Sequence, residues 1–409
     1  MKRNIKIAAI VCASLIFNFQ FSIFNSVEAQ MSLNWSGFVN PHYYADSRAV
    51  VGGREDMMLF YPKPIELDSL GHDINDGWQA DMLAITARLG LRISGPDMLG
   101  AKTTAYVEGD FTGSTNATIN DLRLRHAYID MDWGGRHRLL MGQYWYAMVI
   151  HEIMPMTNPL NMGAPFHCYA RQPQVRYEYH LGGLEAVAVA QWQLDNMSQG
   201  MLNGVQTSST QFARHSMVPE LTAQLRYRTG KLFFGAAVNA KTIQPIVNTT
   251  GMASDGALHT SLTYSLFGSL KLGGVTLKAQ TLLNNSLYEG CSLGGYIIYT
   301  SVMGNDVMFR DWTYNTVWLD IERNRGHWRP GIFLGYAQKQ SEGPVLAIYS
   351  TTAVLGRGYD LDYLWRVQPR LTYTTGNGLS FVGEAEYTYA GYNEPVGNLR
   401  LSLSMVYAF

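Results

Sequence analysis

The segment Leu399-Arg400-Leu401-Ser402-Leu403-Ser404-Met405-Val406-Tyr407-Ala408-Phe409 decides the fold. Its odd positions are all apolar or aromatic, and its even positions open with Arg400, Ser402 and Ser404. Successive side chains of a strand point to opposite faces, whereas a helix repeats every 3.6 residues. The segment therefore reads as a strand with one greasy and one polar face.

The same alternation recurs at 32–45, 82–94, 101–112, 121–132, 136–146, 172–180, 184–194, 218–229, 231–241, 258–271, 275–286, 313–324, 327–338, 360–374 and 379–390, which makes about sixteen strands with the last. Connections alternate between short and long. The short ones carry Gly, as at Gly95, Gly134-Gly135, Gly182-Gly183, Gly230, Gly273-Gly274, Gly326 and Gly376-Asn377-Gly378. The long ones fall near 46–81, 147–171, 195–217, 242–257, 287–312 and 339–359, with shorter members near 113–120 and 391–398. Tight turns at one end and long loops at the other fit an all-β, transmembrane antiparallel β-barrel of about 16 strands. Closure leaves no unpaired strand edge in hydrocarbon. Tyr177, Tyr179, Trp192, Tyr227, Phe234, Tyr264, Trp365, Tyr373, Tyr387, Tyr389, Tyr407 and Phe409 all fall on the apolar parity, where aromatic girdles meet lipid headgroups.

Ahead of the strands, Lys2, Arg3 and Lys6 precede an apolar run from Ile7 to Phe17 and then Val27-Glu28-Ala29, the layout of a cleavable export signal. The expected division is a signal peptide at 1–29 and a barrel domain at 30–409. The residues before Cys12, Ile10-Val11, lack the small residue that lipoprotein processing requires. Removing 1–29 takes three basic residues and one acidic one, leaving 28 Lys and Arg against 31 Asp and Glu, a net charge of about −3. That balance names no nucleic acid as partner. Cys168 and Cys291 fit either a disulfide or two unrelated thiols, and no His/Cys cluster has metal-ligand spacing, so no metal or cofactor is expected.

If the apolar parity meets lipid, its alternate faces inward. That gives Arg88 and Arg92 on the second strand, Glu108 and Asp110 on the third, and Arg123 and Arg125 on the fourth. The following His126 to Asp130 breaks parity as a bulge would. Arg176 and Glu178, Arg226 and Arg228, Asp320 and Glu322, Arg366 and Arg370, and Glu384 and Glu386 continue the inward set. Unpaired charges in a dry core would cost several kcal/mol each, and sixteen strands enclose more space than side chains fill, so water is expected inside. Arginines on strands two, four, six and eight, with carboxylates on three, twelve and fifteen, predict a transverse field. The plainer alternative is that these charges pair with each other along the wall.

The third long connection, 147–171, is apolar for a loop, with Met148, Val149, Ile150, Ile153, Met154, Met156 and Phe166. Folding inward spares that surface from water. His151, Glu152 and His167 then become constriction candidates.

The run Leu122 to Trp145, with its Arg-bearing strand, Gly134-Gly135 turn and Gly142-Gln143 element, resembles the hairpin leading to the constriction loop of Gram-negative porins. The aromatic terminal strand resembles the signal read by the outer-membrane assembly machinery. In full length the chain is similar to porin-like outer-membrane proteins of Bacteroidota, including those likened to phosphate-selective porins. The resemblance implies a location in outer-membrane lipid, a homotrimer, and passive passage of small hydrophilic solutes. It also places Arg123, Arg125 and Gln143 near the constriction. The sequence departs from the family in lacking a tight Lys ladder and multiple acids in the third loop. A preference for anionic or zwitterionic solutes is a further expectation from the arginines. An enzyme is not expected, since no nucleophile motif such as GxSxG is present. The rival reading is a non-conducting adhesin or assembly scaffold built on a barrel. Its working parts would be loops such as 46–81, with Met57 to Tyr61 and Pro62-Lys63-Pro64.

Overall fold

The computed structural model describes residues 31–158, 161–248, 256–301, 306–340 and 348–409. Eighteen ladder segments join in one antiparallel sheet that closes on itself. Two strands run in two pieces each, so the barrel has sixteen strands. They are β1 (Ser32–Val39, continued by His42–Arg48), β2 (Asp76–Leu83, continued by Arg88–Ser94), β3 (Lys102–Asp110), β4 (Arg123–Trp133), β5 (His137–Trp145), β6 (Arg171–Leu181), β7 (Leu184–Gln191) and β8 (Glu220–Arg228). After these come β9 (Leu232–Ile243), β10 (His259–Leu272), β11 (Val275–Asn285), β12 (Tyr314–Arg323), β13 (Trp328–Lys339), β14 (Tyr363–Thr374), β15 (Leu379–Gly391) and β16 (Val396–Ala408).

Each strand pairs with its sequence neighbour, and β16 returns to β1 through Phe38 opposite Ala408 and Asp46 opposite Arg400. Gly37 and Phe409 exchange both backbone hydrogen bonds at 3.0 Å, so the chain's last residue is itself a rung of the ladder. Both β1 and β2 leave the ladder at the same level, at Asn40-Pro41 and at 84–87. Pro41 has no N–H to offer there, and the Thr86 hydroxyl satisfies the Asn40 carbonyl instead.

The facing of side chains follows the alternation. On β16, Leu401, Leu403 and Met405 are 45%, 63% and 46% exposed, while Arg400, Ser402 and Ser404 are 1%, 4% and 7% exposed. None of the twelve aromatics on the apolar parity is buried. Short turns close the strand pairs at one end. At Gly134-Gly135 both residues take positive φ, of 66° and 73°, a conformation that costs an ordinary residue its Cβ clearance.

The connections hold more structure than alternation reveals. Val50–Gly53 pairs with Met58–Pro62 as a hairpin. Gln199–Leu202, Val205–Ser208 and Ile246–Val247 form one small sheet. Gly294–Ser301, Val307–Trp312 and Tyr349–Arg357 form another. In this last sheet Gly294 to Tyr299 is buried on both faces, so its sequence has no alternation to read. The first long connection is also shorter than 46–81, because Asp46 pairs with Gln79 and Arg48 with Asp76 inside the ladder.

The principal apolar cluster lies within this frame. Met57, Phe60, Tyr146, Met148, Ile150, Ile153 and Phe166 come from connections, and Trp318, Phe333, Ala337 and Leu364 come from strands. Gly335 on β13 leaves room for it, since a Cβ there would sit 2.6 Å from Phe166 Cδ2. Loop side chains and loop carbonyls meet the inward parity of β11–β16, and the charges there are largely paired with each other or with loop carbonyls. Met57 to Tyr61 belongs to this buried set and presents no outward surface, whereas Lys63 and Pro64 are exposed.

Candidate functional site

The inward parity brings charged residues of neighbouring strands into contact. On β3 and β4, Arg123 Nε donates to Asp110 Oδ1 at 2.7 Å, Arg125 Nε to Glu108 Oε1 at 2.6 Å, and Arg125 Nη1 to Asp110 Oδ2 at 2.9 Å. Arg88 on β2 approaches the same two carboxylates at 3.7 and 3.8 Å. Arg92, nearer the strand end, is exposed and stands 5.2 Å over the Tyr106 ring.

The parity break after Arg125 is a bulge. Glu108 faces His126 while the next residue, Gly109, faces Leu124, which leaves Arg125 as the extra residue. Arg125 and His126 are consequently both buried. Gln143 on β5 holds this irregular backbone, donating to the carbonyls of Leu124 and Arg125 at 3.1 and 3.2 Å. It is buried, and its bonds are to the wall itself.

A second group joins β4 to β8. Arg176 bonds Glu178, and Arg138 bonds Asp130 at 2.8 Å and Glu178 at 3.5 Å. Arg226 and Arg228 reach Glu152 at 3.0 and 3.3 Å, and Arg228 also reaches Glu185 at 2.9 Å. A third group spans β12 to β15. There Arg370 bonds Asp320 at 2.6 Å and Glu322 at 3.2 Å, Arg366 lies 3.0 Å from Glu386, and Gln368 donates to Glu384 and Glu386. Solvent reaches Arg228, Glu322 and Arg88 in part, while Arg226, Asp320, Arg366 and Glu386 are covered. Neighbouring strands thus carry opposite charges in contact, and this pairing replaces the simple division of the wall into a basic and an acidic half.

Residues 146–158 and 161–170 touch the inward parity of many strands. Ala147 O accepts from Gln224, Met154 O from Lys278 at 3.1 Å, Ala164 O from Arg366 at 2.7 Å, and Phe166 O from Thr316 at 3.3 Å. The Asn158 N–H donates to both oxygens of Glu384 at 3.1 Å. Of the three constriction candidates, His151 is exposed beside Glu152 at 3.2 Å. Burial pushes Glu152 up, but the Arg226 guanidinium and His151 outweigh it and hold the carboxyl below its ordinary range. His167 is fully buried edge-on to Trp318 at 5.5 Å, and burial lowers it to about 3, so it is neutral. The three are not gathered into one cluster.

Sequence reasoning missed a group of basic residues on connections and strand ends. Arg54 sits on the first hairpin, Arg171 opens β6, and both line a cavity of about 350 Å³ with Arg88, Arg123, Arg125 and Tyr169. Burial raises Tyr169, but Arg125, Arg171, Arg88 and Arg123 outweigh that and bring its hydroxyl down to about 6. Cys168 and Cys291 are free thiols near this cavity, and burial pushes the Cys168 thiol up. No signal of period two could mark residues outside strand interiors. Among the described residues no group of three or more His, Cys, Asp or Glu side chains could hold a metal ion.

Comparison with known proteins adds the fold's relatives. No protein-family model and no curated protein matches. Among solved structures, the outer membrane channel DcaP of Acinetobacter baumannii superimposes with a TM-score of 0.66 at 19% identity, covering 93% of this chain and 98% of that one. The chain has the fold of outer-membrane porins. The anion-selective porin from Comamonas acidovorans gives 0.53 at 11% identity, with 93% and 100% covered. OmpT, an outer membrane protein of Vibrio cholerae, in its trimer form gives 0.53 at 9%, with 93% and 100% covered. The porin fold accounts for the closed sheet, and the charged interior is what this chain builds on it.

Proposed function

We propose that the chain is a passive diffusion channel for small hydrophilic solutes in the outer membrane, exported by residues 1–29 and assembled through its aromatic terminal strand. One observation carries the reading: a closed barrel whose outward faces are apolar and whose inward faces are charged. An apolar belt suits lipid, and inward charges that solvent reaches in part, at Arg88, Arg228 and Glu322, suit a path for polar solutes. The proposal extends to a homotrimer and to kinship with the porin-like outer-membrane proteins of Bacteroidota.

In this reading residues 147–171 fold into the barrel and set the bore, a role supported by their bonds to β8, β11, β12, β14 and β15. Passage then runs along the β2–β9 side, past the wetted Arg88, Arg92, Arg228 and His151, rather than past the covered Arg366 and Asp320. Anionic or zwitterionic solutes are favoured because arginines outnumber carboxylates around the cavity. Planar-bilayer recording tests this directly. Steady ohmic steps with reversal potentials favouring anions are expected, and silence of correctly folded barrels would support the scaffold instead.

A further inference from the structure

The outward face of the barrel carries a notch. Leu371, Gly383, Leu403, Tyr43 and Met82 stand opposite one another in turn across the ladder, from β14 round to β2. A second row, nearer the short turns, runs through Trp328, Tyr373, Phe381 and Met405. Gly383 alone among them has no side chain, and together the two rows enclose about 710 Å³ on the apolar parity. A Cβ at Gly383 would meet only Leu403 Cδ2, at 3.6 Å, so packing within the wall does not require a glycine there.

Charge gathers beside this notch. Trp328 enters it from the β12–β13 turn, Arg323-Asn324-Arg325-Gly326-His327. That turn is joined to its neighbours, since the Asn324 N–H donates to Gly274 O at 2.8 Å and the Lys271 N–H to Lys231 O at 2.9 Å. Lys231, Lys271, Arg323, Arg325 and Arg329 are exposed, and among the described residues none of them forms an ion pair with an acid. The three turns, 229–231, 271–274 and 323–327, contain no Asp or Glu. The adjoining Glu322 faces inward and is taken by Lys278 at 2.7 Å and Arg370 at 3.2 Å. Arg323 ends β12 on the apolar parity, in line with Val317, Leu319 and Ile321. His327 Nδ1 donates to Thr374 O at 2.8 Å, and its ring lies 6.2 Å from that of Tyr373, which meets Trp328 at 4.8 Å.

An apolar notch edged by aromatics, with unmatched basic groups at its mouth, has the two-part chemistry of a phospholipid. Short turns of an outer-membrane barrel face the periplasm, so the basic groups stand at the headgroups of that leaflet. We propose that the notch over Gly383 and the β12–β13 turn seat one anionic glycerophospholipid of the periplasmic leaflet. An acyl chain lies between Leu371, Phe381 and Leu403, and the phosphate is held by Arg323, Arg325 and His327. The chain fills volume that the side chains leave open, and basic residues at a membrane surface draw anionic headgroups. Lipid seated there leaves the lumen untouched, so a barrel that conducts nothing would bind it equally well.

The test is native mass spectrometry of the full barrel, in the oligomeric state it keeps in detergent, titrated with dipalmitoyl phosphatidylglycerol and, separately, dipalmitoyl phosphatidylcholine. Saturable binding of phosphatidylglycerol is expected, about tenfold tighter than that of phosphatidylcholine. Gly383→Leu fills the notch and Arg323→Gln/Arg325→Gln strips its mouth, and each should weaken phosphatidylglycerol binding about tenfold. The arginine variant replaces exposed side chains outside any ion pair among the described residues, so it carries the comparison if Gly383→Leu does not fold. Equal binding of the two lipids, undiminished binding by a folded variant, or displacement of the lipid by equimolar inorganic phosphate overturns the proposal. So does binding of neither lipid, the result expected where a second protomer covers the notch.

Discussion

The wall at β2–β4 and the wall at β12–β15 are built from the same residue types with opposite outcomes. At β12–β15 the covered arginines are matched. Arg370 lies between Asp320 and Glu322, Arg366 meets Glu386 and three loop carbonyls, and the Asn158 amide covers Glu384. At β2–β4 the bulge at Arg125 puts an additional guanidinium beside carboxylates already shared with Arg88 and Arg123. One wall has Arg366 and Arg370 matched beneath a loop, and the other gathers three arginines on two carboxylates beside a cavity. A charged inward face therefore says little about function until its pairing is known.

The largest expected effect breaks the balanced wall. Arg370→Ala leaves Asp320 buried without its partner and should destabilise the barrel by about 3–5 kcal/mol, measured as the midpoint of urea unfolding in detergent. The same replacement of Arg88, whose two carboxylates keep Arg123 and Arg125 as partners, should cost clearly less. Equal costs would erase the distinction between the two walls.

Next comes the bulge that creates the difference. Gln143→Ala removes two donors from the carbonyls of Leu124 and Arg125 and should cost about 1–3 kcal/mol by the same unfolding measurement. Glu152→Gln removes the acid that meets the covered Arg226, so it should also lower the unfolding midpoint, while freeing the more exposed Arg228. The account expects the reversal potential in a salt gradient to move toward anions.

The smallest effect is a pH dependence. Tyr169, brought down to about 6 by the guanidinium groups around it, gains negative charge as pH rises through that value. Anion preference should therefore be higher at pH 5 than at pH 7, by roughly twofold or less once salt screening acts. Tyr169→Phe should flatten the profile, and a profile unchanged in that variant would assign the titration elsewhere.

Much of this frame was legible in the chain. Sixteen strands stand near the positions that period-two alternation marks, because a sheet with one apolar and one polar face must alternate, although the second begins at Asp76, ahead of the expected 82, and pairs there with the first. The bulge showed as lost parity after Arg125. Gln143 was expected near the constriction, yet its role in holding the bulge depends on a cross-strand register that no single strand carries. Tyr296 to Tyr299 is buried on both faces and reads as a loop for want of alternation. Arg54 is aimed by three consecutive left-handed residues that composition does not mark as a turn. Gly335 makes room for Phe166 and leaves no pattern at all.

The central claim is that the greasy parity faces lipid. Spin labels placed singly at Leu401, Leu403 and Met405 in liposome-reconstituted barrels measure it through collisions with dissolved oxygen and with a water-soluble nickel chelate. The account predicts strong oxygen contact and weak chelate contact at all three. Labels shielded from both reagents, as in a dry protein core, would contradict it.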